Sequence, residues 1–457
     1  MAGGVWLSQN KTRPGAYINF VGVAKPSMTV GDRGVVAIPL ALSWGATGEL
    51  ISVLSTELAD GSSRKKVGFD AMDEKAKLLA GALSYCYKAL VYRTNTGALK
   101  ASAVLGGLKA TAKYGGTFGN KIIVATESEN GLYVVTTYIE GETVDTQKVS
   151  AISEIENNDY VDFSQEVQST QDETSGEVIS TPIETISLTA GTALTGGTDG
   201  VVIEDYAPFL RQLRMSFWQT MVCFSNEVLV KKNICNFIKQ LRDDEGRYVQ
   251  GVVVDYDGAD SEGIINSVSG AVIDGVEYSQ TDFAAVVAGL CAGANFNESN
   301  TAREIKGATK IVGEMTDEEI KTALKNGKFL LSVSTSGKIK VEQDINSLHT
   351  FTKTKGYAFS KNRVIRTLDE IGTSTATTWE DTYMGKVDND PTGRSLFKAD
   401  LVEYGRELER LSGIQNFAGS DDVKISQGND VDSVLVEWNV QPVDAMEKLY
   451  LTCRVKG

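Results

Sequence analysis

Hydrophobic and polar residues follow two different periods along this chain, and the changes of period divide it into regions. Residues 34–45 form a run typical of a buried strand, residues 73–90 have helical spacing, and residues 89–95 form a short strand pattern. From residue 98 to residue 197, short alternating segments rich in Thr, Val, Ile and Tyr are separated by Gly and Asn. The sequence therefore predicts a strand–helix–strand beginning followed by an inserted, mostly β domain.

The strand and helix patterns of an α/β fold return after Gly200. Residues 226–246 have helical spacing, and residues 248–258 contain a nearly continuous apolar run, as in a sheet covered on both sides. We expect Thr281 to be the N-cap of the next helix and Thr316 to open a capping box. The predicted apolar face of the helix at 226–246 comprises Leu229, Ile234, Phe237, Ile238 and Leu241.

These patterns predict an α/β fold of several domains. An α/β core carries the inserted mostly β domain, a C-terminal α+β domain follows, and terminal strands extend as arms. The expected boundaries are 1–23 for the N-terminal arm, 24–97 for the N-terminal part of the core, 98–197 for the insert, 198–349 for the α/β core domain and 350–457 for the C-terminal domain, with terminal arm strands at about 433–457. Within the insert, the acidic residues 165–184 are expected to form a mobile loop.

Both ends of the chain have strand patterns. Residues 13–23 begin with a Pro-Gly turn and have no hairpin partner nearby, and residues 433–442 and 447–455 are two further strand patterns. A strand without a local partner leaves N–H and C=O groups that another chain can bind. The alternative is that each strand belongs to the sheet of its own domain. The residues expected to carry pairing between subunits are Tyr17, Ile18, Phe20, Val434, Val436, Trp438 and Tyr450.

A long amphipathic helix is predicted at 393–413. Its apolar stripe consists of Phe397, Leu401, Tyr404, Leu408 and Leu411. The far side of the helix carries the charged residues Glu403, Arg406, Glu407 and Arg410.

The net charge of −15 is concentrated in one block, because residues 121–200 hold 15 acidic residues against two lysines. The block is either a solvated acidic surface or a patch for a basic partner. No basic stripe favours a nucleic-acid partner. The longest apolar stretch, residues 283–296, is too short and too rich in Ala and Gly to cross a membrane. The five cysteines include no C-x-x-C pair, which is typical of a reducing compartment.

Residues with catalytic chemistry are sparse. His349 is the only histidine and has no Gly-rich elbow nearby, so a structural role is favoured over a catalytic one. Asp255, Asp257 and Asp260 follow a strand and would suit a cation, but the distal Glu of a calcium loop is missing, which favours a solvated turn. We therefore expect no catalytic residue, no metal and no cofactor.

Several stretches together resemble contractile tail sheath proteins of bacteriophages or phage-tail-like bacteriocins, of a Gram-positive type. The opening "RPGAYINF" is similar to the start of the family, and "LTGGTDG" at 194–200 is similar to its turn after the inserted domain. The most specific stretches are residues 344–371 and 383–417. The positions that the resemblance marks as shared are Asp344, Ile345, Asn346, Arg363, Arg366, Asn389, Gly393 and Arg394.

The resemblance implies a structural subunit with a subtilisin-like core at 198–349 but no recognisable catalytic triad. Copies would polymerise helically around an inner tail tube and contract from a metastable extended state to drive the tube through a cell envelope. The implied partners are further copies of the chain, the tube, baseplate and tail terminator proteins, with no direct nucleic acid and no membrane insertion. Assembly in the bacterial cytoplasm is implied, as is a place in the tail of a virion or a released bacteriocin.

The same resemblance implies a tube-facing helix at Arg394–Leu411, which makes Glu403, Arg406, Glu407 and Arg410 candidate contacts with the inner tube. Two other functions remain open from the sequence. One is a hydrolase built on the middle α/β domain, against which the single His counts. The other is a different self-assembling surface or shell protein, against which the missing export signal counts.

Overall fold

A computed structural model describes residues 3–4, 16–17, 28, 31, 33–171, 178–203 and 205–455. The chain forms two compact units. The core unit comprises Asp32–Asp369 and Asp444–Gly457, and the C-terminal unit comprises Met1–Gly31 and Glu370–Val443. The predicted arm residues Ile18 and Phe20 lie outside the described residues, and only the backbone of Tyr17 is described.

A seven-stranded sheet forms the centre of the core unit. In spatial order its strands are Lys328–Phe329, Ile264–Ser267, Gln250–Val254, Thr220–Val222, Val35–Leu40, Lys88–Arg93 and Leu50–Leu54. Neighbouring strands are parallel except for the edge strand Leu50–Leu54, which is antiparallel to Lys88–Arg93. Every residue of Val35–Leu40 and Gln250–Val254 is buried, because helices cover both faces of the sheet. The α/β class predicted from the sequence is confirmed.

Two helices supply most of the cover. Gln280–Gly293 is apolar on nearly all sides and packs with Val36, Ile38 and Val252 on one face. Val228–Asp243 packs on the other face, against Val35 and Met221. The helices of the core unit are Ser55–Asp60, Arg64–Val67, Lys77–Leu83, Ala207–Arg214, Val228–Asp243, Gln280–Gly293 and Asp317–Lys325, with 3-10 turns at Glu74–Ala76, Thr117–Lys121, Ile152–Glu154 and Tyr357–Ser360.

Two details of the helix predictions are wrong. Leu229 is 68% exposed, since it lies at the first turn of its helix, before the helix reaches the sheet. The N-cap of Gln280–Gly293 is Ser279, whose hydroxyl accepts a hydrogen bond from the backbone N–H of Asp282 at 3.1 Å. Thr281 lies inside the first turn. The capping box that begins at Thr316 is confirmed.

The insert consists almost entirely of strands, packed on a core that includes Trp44, Phe118 and Val124. Its strands are Ser102–Leu105, Leu108–Ala112, Ile122–Glu129, Leu132–Ile139, Glu142–Val149, Val161–Gln165, Val167–Gln171, Val178–Pro182 and Thr189–Ala193. The flanks of the stretch 165–184, where a mobile loop is expected, pair as an antiparallel hairpin, because Val, Ile and Thr favour strands. Residues 172–177, also part of that prediction, lie outside the described residues.

A short pair of strands closes the base of the insert. Asn95–Thr96 is antiparallel to Val201–Val202, so the two ends of the insert leave the core side by side. The Asn95 side chain is buried and exchanges hydrogen bonds with the backbone of Leu42 at 2.8 and 2.9 Å. The remaining small sheets are Gly270–Ile273 with Val276–Tyr278 and Ala308–Val312, the hairpin Leu331–Val333 with Ile339–Val341, and the parallel pair Gly3–Gly4 with Ala16–Tyr17.

The C-terminal unit contains two long helices and a hairpin. Asn362–Thr378 carries the chain from the core unit into the C-terminal unit and ends in a π-helical turn, Trp379–Tyr383. The predicted amphipathic helix spans Pro391–Arg410 and is followed by a short 3-10 turn, Gly419–Asp421. Strands Val423–Gln427 and Val434–Trp438 pair antiparallel. Residues 447–455 form no strand within the described chain, because a strand needs a partner to form, and their pairing with another subunit stays a prediction.

An ion pair between Asp344 and Arg366 lies fully buried in the core unit. The Arg366 Nη2 is 2.5 Å from Asp344 Oδ2, and the side chains are 0% and 1% exposed. The backbone of Asn300 and the amide of Asn362 also donate to this carboxylate, each at 2.9 Å. Burial alone would raise the pKa of Asp344, but Arg366 and these donors lower it below its ordinary value.

Arg366→Met should destabilise the protein strongly, because it leaves a buried carboxylate without its cation. We expect the free energy of unfolding to fall by about 3–5 kcal/mol at neutral pH. The pKa of Asp344 is lower in the folded protein than in the unfolded chain. The ionised Asp344 therefore stabilises the fold above the unfolded pKa of about 3.9, and this stabilisation disappears as the pH falls. Urea denaturation measures the difference. Arg410→Met, which removes an exposed pair, is the control and should leave the stability nearly unchanged. Equal stabilities of the two variants would contradict the assignment.

Candidate assembly surfaces

The strand Val434–Trp438 belongs to the sheet of its own unit. It pairs with Val423–Gln427 along its whole length, from Val434 opposite Gln427 to Trp438 opposite Val423. Val434, Val436 and Trp438 therefore pair within their own unit and do not form a free arm, while their pairing with another subunit through the second edge stays a prediction. The sheet has two strands, so within the described chain the second edge of Val434–Trp438 has no partner strand. That edge presents main-chain N–H and C=O groups to an added strand.

Three of the shared motif positions hold the hairpin to the long helix. The Asn389 amide donates to the carbonyl oxygens of Val431 and Ser433 at 2.8 and 2.9 Å. Arg394 Nη1 donates to Asn389 Oδ1 at 2.8 Å and so fixes the orientation of this amide. At Gly393, a Cβ atom would lie 2.1 Å from a backbone oxygen, which leaves room only for glycine. The resemblance marked these positions without giving them this role.

The long helix Pro391–Arg410 has the two faces that its sequence predicts. Its buried stripe is Phe397, Leu401, Tyr404 and Leu408. The four candidate tube contacts lie on the opposite face and pair with one another: Glu403 with Arg406 at 3.6 Å, and Glu407 with Arg410 at 2.5 Å. Hydrogen bonds from Arg410 lower the pKa of Glu407. This exposed face therefore carries paired charges and no net charge from these four residues.

The C-terminal segment, residues 444–457, returns to the core unit after the hairpin. Its described residues have no regular secondary structure. Its apolar side chains face solvent, with Tyr450, a predicted arm residue, 89% exposed. The other exposed apolar residues of the segment are Met446, Leu449, Leu451 and Val455. So many uncovered apolar side chains in one short segment mark a surface for association.

The residues considered for chemistry form ordinary structural contacts. Lys328 Nζ lies 2.7 Å from Asp255 and 3.0 Å from Asp257, so a lysine ammonium occupies the place that a cation would take. His349 Nδ1 lies 2.9 Å from the Ser347 carbonyl oxygen. Asp260 accepts hydrogen bonds from the backbone of the loop after residue 348. No group of three potential metal ligands occurs within the described ranges. Among those same residues, no helix is both long and apolar enough to cross a membrane.

Known families cover most of the chain. Residues 95–199 match the phage tail sheath β-sandwich domain, residues 199–347 the phage tail sheath central domain, and residues 354–456 the phage tail sheath C-terminal domain. The chain belongs to the phage tail sheath family. It is 35% identical, over the full length of both chains, to the phage-like element PBSX protein XkdK of Bacillus subtilis.

Solved structures of sheath proteins have the same fold. The sheath tail protein of Desulfitobacterium hafniense is 34% identical, with 97% of this chain and 100% of that chain aligned and a TM-score of 0.79. The helical sheath of the anti-feeding prophage in its contracted state is 7% identical, with 97% and 99% of the two chains aligned and a TM-score of 0.56, which shows a common fold. Membership of the sheath family gives this protein a structural role, as a sheath subunit.

Asn389→Ala should loosen the hairpin of the C-terminal unit, because the Val431 and Ser433 carbonyls lose their donor. We expect the local opening free energy to fall by about 1–2 kcal/mol. Hydrogen exchange of peptides that cover 423–438 should accelerate while exchange of the central sheet is unchanged. Asn439→Ala, at an exposed position next to the same strand, is the matched control. Unchanged exchange at 423–438 in Asn389→Ala would show that this amide does not hold the hairpin.

Proposed function

We propose that copies of this chain form a contractile sheath in which the C-terminal segment of one subunit docks on another. The observation that carries the proposal is the row of uncovered apolar side chains at 446–455, in a chain of the sheath family. These side chains gain nothing within their own subunit. Burial on a second copy would stabilise association by about 25 cal/mol per Å² of apolar surface removed from water.

An exchange of arms between subunits needs an extended arm and a strand edge that accepts it, and the chain contains both. Residues 448–457, if extended, reach about 33 Å at roughly 3.3 Å per residue. The second edge of Val434–Trp438 offers main-chain groups for strand addition. The N-terminal arm at 1–23, with Tyr17, Ile18 and Phe20, is proposed to act in the same way. Head-to-tail contacts that do not close produce a helical polymer, and two arms per subunit make it multivalent.

Contraction requires no catalytic site in this proposal. Assembly around an inner tail tube traps the extended packing, and a signal from the baseplate releases it into a shorter, wider cylinder. Subunits joined by extended arms can rotate without separating. The proposed partners are the tube, the baseplate and the tail terminator, with assembly in the bacterial cytoplasm and a final place in the tail of a virion or a released particle.

The charged face of the long helix is the proposed contact with the tube. Its ion pairs are exposed, and such pairs contribute little to stability. Each charged side chain of this face can therefore exchange its partner for a charge on the tube at little cost in free energy. Such exchange can occur when the sheath assembles and when it slides along the tube. Many weak contacts repeated along a tube add up to a firm hold.

Deletion of residues 448–457 should leave a folded monomer that does not polymerise. The described residues of this stretch are all exposed, so the free energy of unfolding should change by less than about 0.5 kcal/mol. The double substitution Leu449→Asp with Leu451→Asp should act alike, whereas Met72→Asp, at another exposed apolar position, should assemble normally. Electron microscopy of purified protein provides the measurement, and long sheaths from the deletion variant would refute the proposal. A cut after Asp432 is unsuitable, because it removes a strand of the hairpin.

Arg406→Glu combined with Arg410→Glu should separate sheath assembly from tube binding. Each reversal places like charges three residues apart on an exposed face, which destabilises the helix only slightly, so folding persists. We expect sheaths that form alone but not around tube, or only at altered salt. Lys321→Glu, which disrupts similar pairs on an exposed helix of the core unit, controls for the local effect. Co-assembly with tube at unchanged salt sensitivity would remove these arginines from the contact.

A further inference from the structure

One residue of the C-terminal segment is held firmly while its neighbours are exposed. The Glu447 carboxylate accepts hydrogen bonds from three side chains of the core unit. Gln343 Nε2 donates at 2.6 Å, Thr301 Oγ1 donates at 2.7 Å, and Lys361 Nζ completes the set with a short ionic contact. These donors come from three separate parts of the chain, so the carboxylate is fixed from several directions.

The contact is also shielded from water. The side chains of Lys361 and Glu447 are only 4% and 10% exposed. Burial would raise the pKa of Glu447, but its hydrogen bonds from Lys361, Gln343 and Thr301 lower it. A buried ammonium that lost this carboxylate would retain only a more distant anion, Asp444 at 3.9 Å. Removal of Glu447 is therefore costly, unlike removal of an exposed ion pair.

The site that holds Glu447 is continuous with the buried ion pair of the core. Thr301 Oγ1, which donates to Glu447, accepts a hydrogen bond from the backbone of Asp344 at 2.9 Å. Asp344 is in turn held by Arg366. Lys361 stands directly before Asn362, whose amide donates to the same Asp344 carboxylate. The position of Glu447 is thus set by a hydrogen-bond network that includes the buried ion pair of Asp344 with Arg366.

We propose that Glu447 is the fixed root of the C-terminal arm, with Lys361 as its positioning residue. Only residues after Glu447 then reach a second copy, and the direction in which they leave is set by the core. Without this root, the free chain would begin after Val443, whose backbone donates to Gly413 at 2.9 Å. The reach would grow from roughly 33 Å to roughly 46 Å, and the effective concentration of the arm at its target would fall. The role in reach rests on the proposed arm exchange, whereas the anchor itself does not.

Trypsin cleavage of the unassembled full-length chain tests the anchor directly. Lys448 follows the root immediately, and Arg454 lies well beyond it in the exposed part of the segment. A protease must draw several residues around the cut bond into its site, so a fixed Glu447 should slow cleavage after Lys448 but not after Arg454. Lys361→Met, which removes the cation and leaves Glu447 able to reach water, should raise the rate after Lys448 about tenfold or more. The rate after Arg454 should be unchanged.

Two further variants distinguish loss of the Glu447 anchor from general unfolding of the protein. Glu447→Gln leaves the buried Lys361 ammonium without the negative charge of its partner. The double variant Glu447→Gln with Lys361→Met removes both charges. Both should also cleave faster after Lys448, and the double variant should unfold at higher urea than Glu447→Gln alone. The anchor is overturned if Lys361→Met cleaves after Lys448 at the wild-type rate, or if the wild type already cleaves there as fast as after Arg454.

An assembly experiment distinguishes the proposed anchor at Glu447 from the proposed exchange of arms between subunits. If both hold, Lys361→Met should polymerise more weakly or into irregular sheaths, and deletion of 448–457 should not polymerise. Faster cleavage after Lys448 together with normal sheaths from both variants would keep the anchor and refute the exchange. Unchanged cleavage in Lys361→Met, together with no sheaths from the deletion variant, would keep the exchange and overturn the anchor.

Discussion

The buried carboxylate of Asp344 is the constraint on which the arrangement of the core unit depends. An ionised group in a dry interior is tolerated only when each of its oxygens is satisfied, so it selects one geometry of the segments around it. Its partners are Asn300, Asn362 and Arg366, and its backbone reaches Thr301. These groups fix the start of the helix Asn362–Thr378 and the side chains that bind Glu447 relative to the central sheet.

The protein uses ion pairs in two opposite settings. Asp344 with Arg366 and Lys361 with Glu447 are buried, screened little by salt and costly to break. The pairs on the long helix are exposed, screened by salt and readily exchanged for other partners. The first kind suits parts of a subunit that keep their shape in every state. The second suits a surface whose contacts change while the subunit itself stays folded.

Local patterns in the sequence predicted local structure well. The apolar runs gave the buried strands, Thr316 with Glu319 gave a capping box, and the stripe from Phe397 to Leu408 gave the long helix. Pairing could not be predicted, because alternation indicates a strand and not its partner. Val434–Trp438 pairs within its own unit, and residues 447–455 form no strand without a neighbour. The contact of Lys361 with Glu447 joins residues 86 positions apart, and single charges carry no pattern that could indicate it.

The closed base of the insert has a consequence for how this chain can change over generations. Because Asn95–Thr96 and Val201–Val202 lie side by side, the central sheet is completed without any strand of the insert. Insertions at such adjacent ends are tolerated well in domains generally. The acidic β module can therefore lengthen, shrink or be recombined over generations, while the central sheet keeps all of its strands.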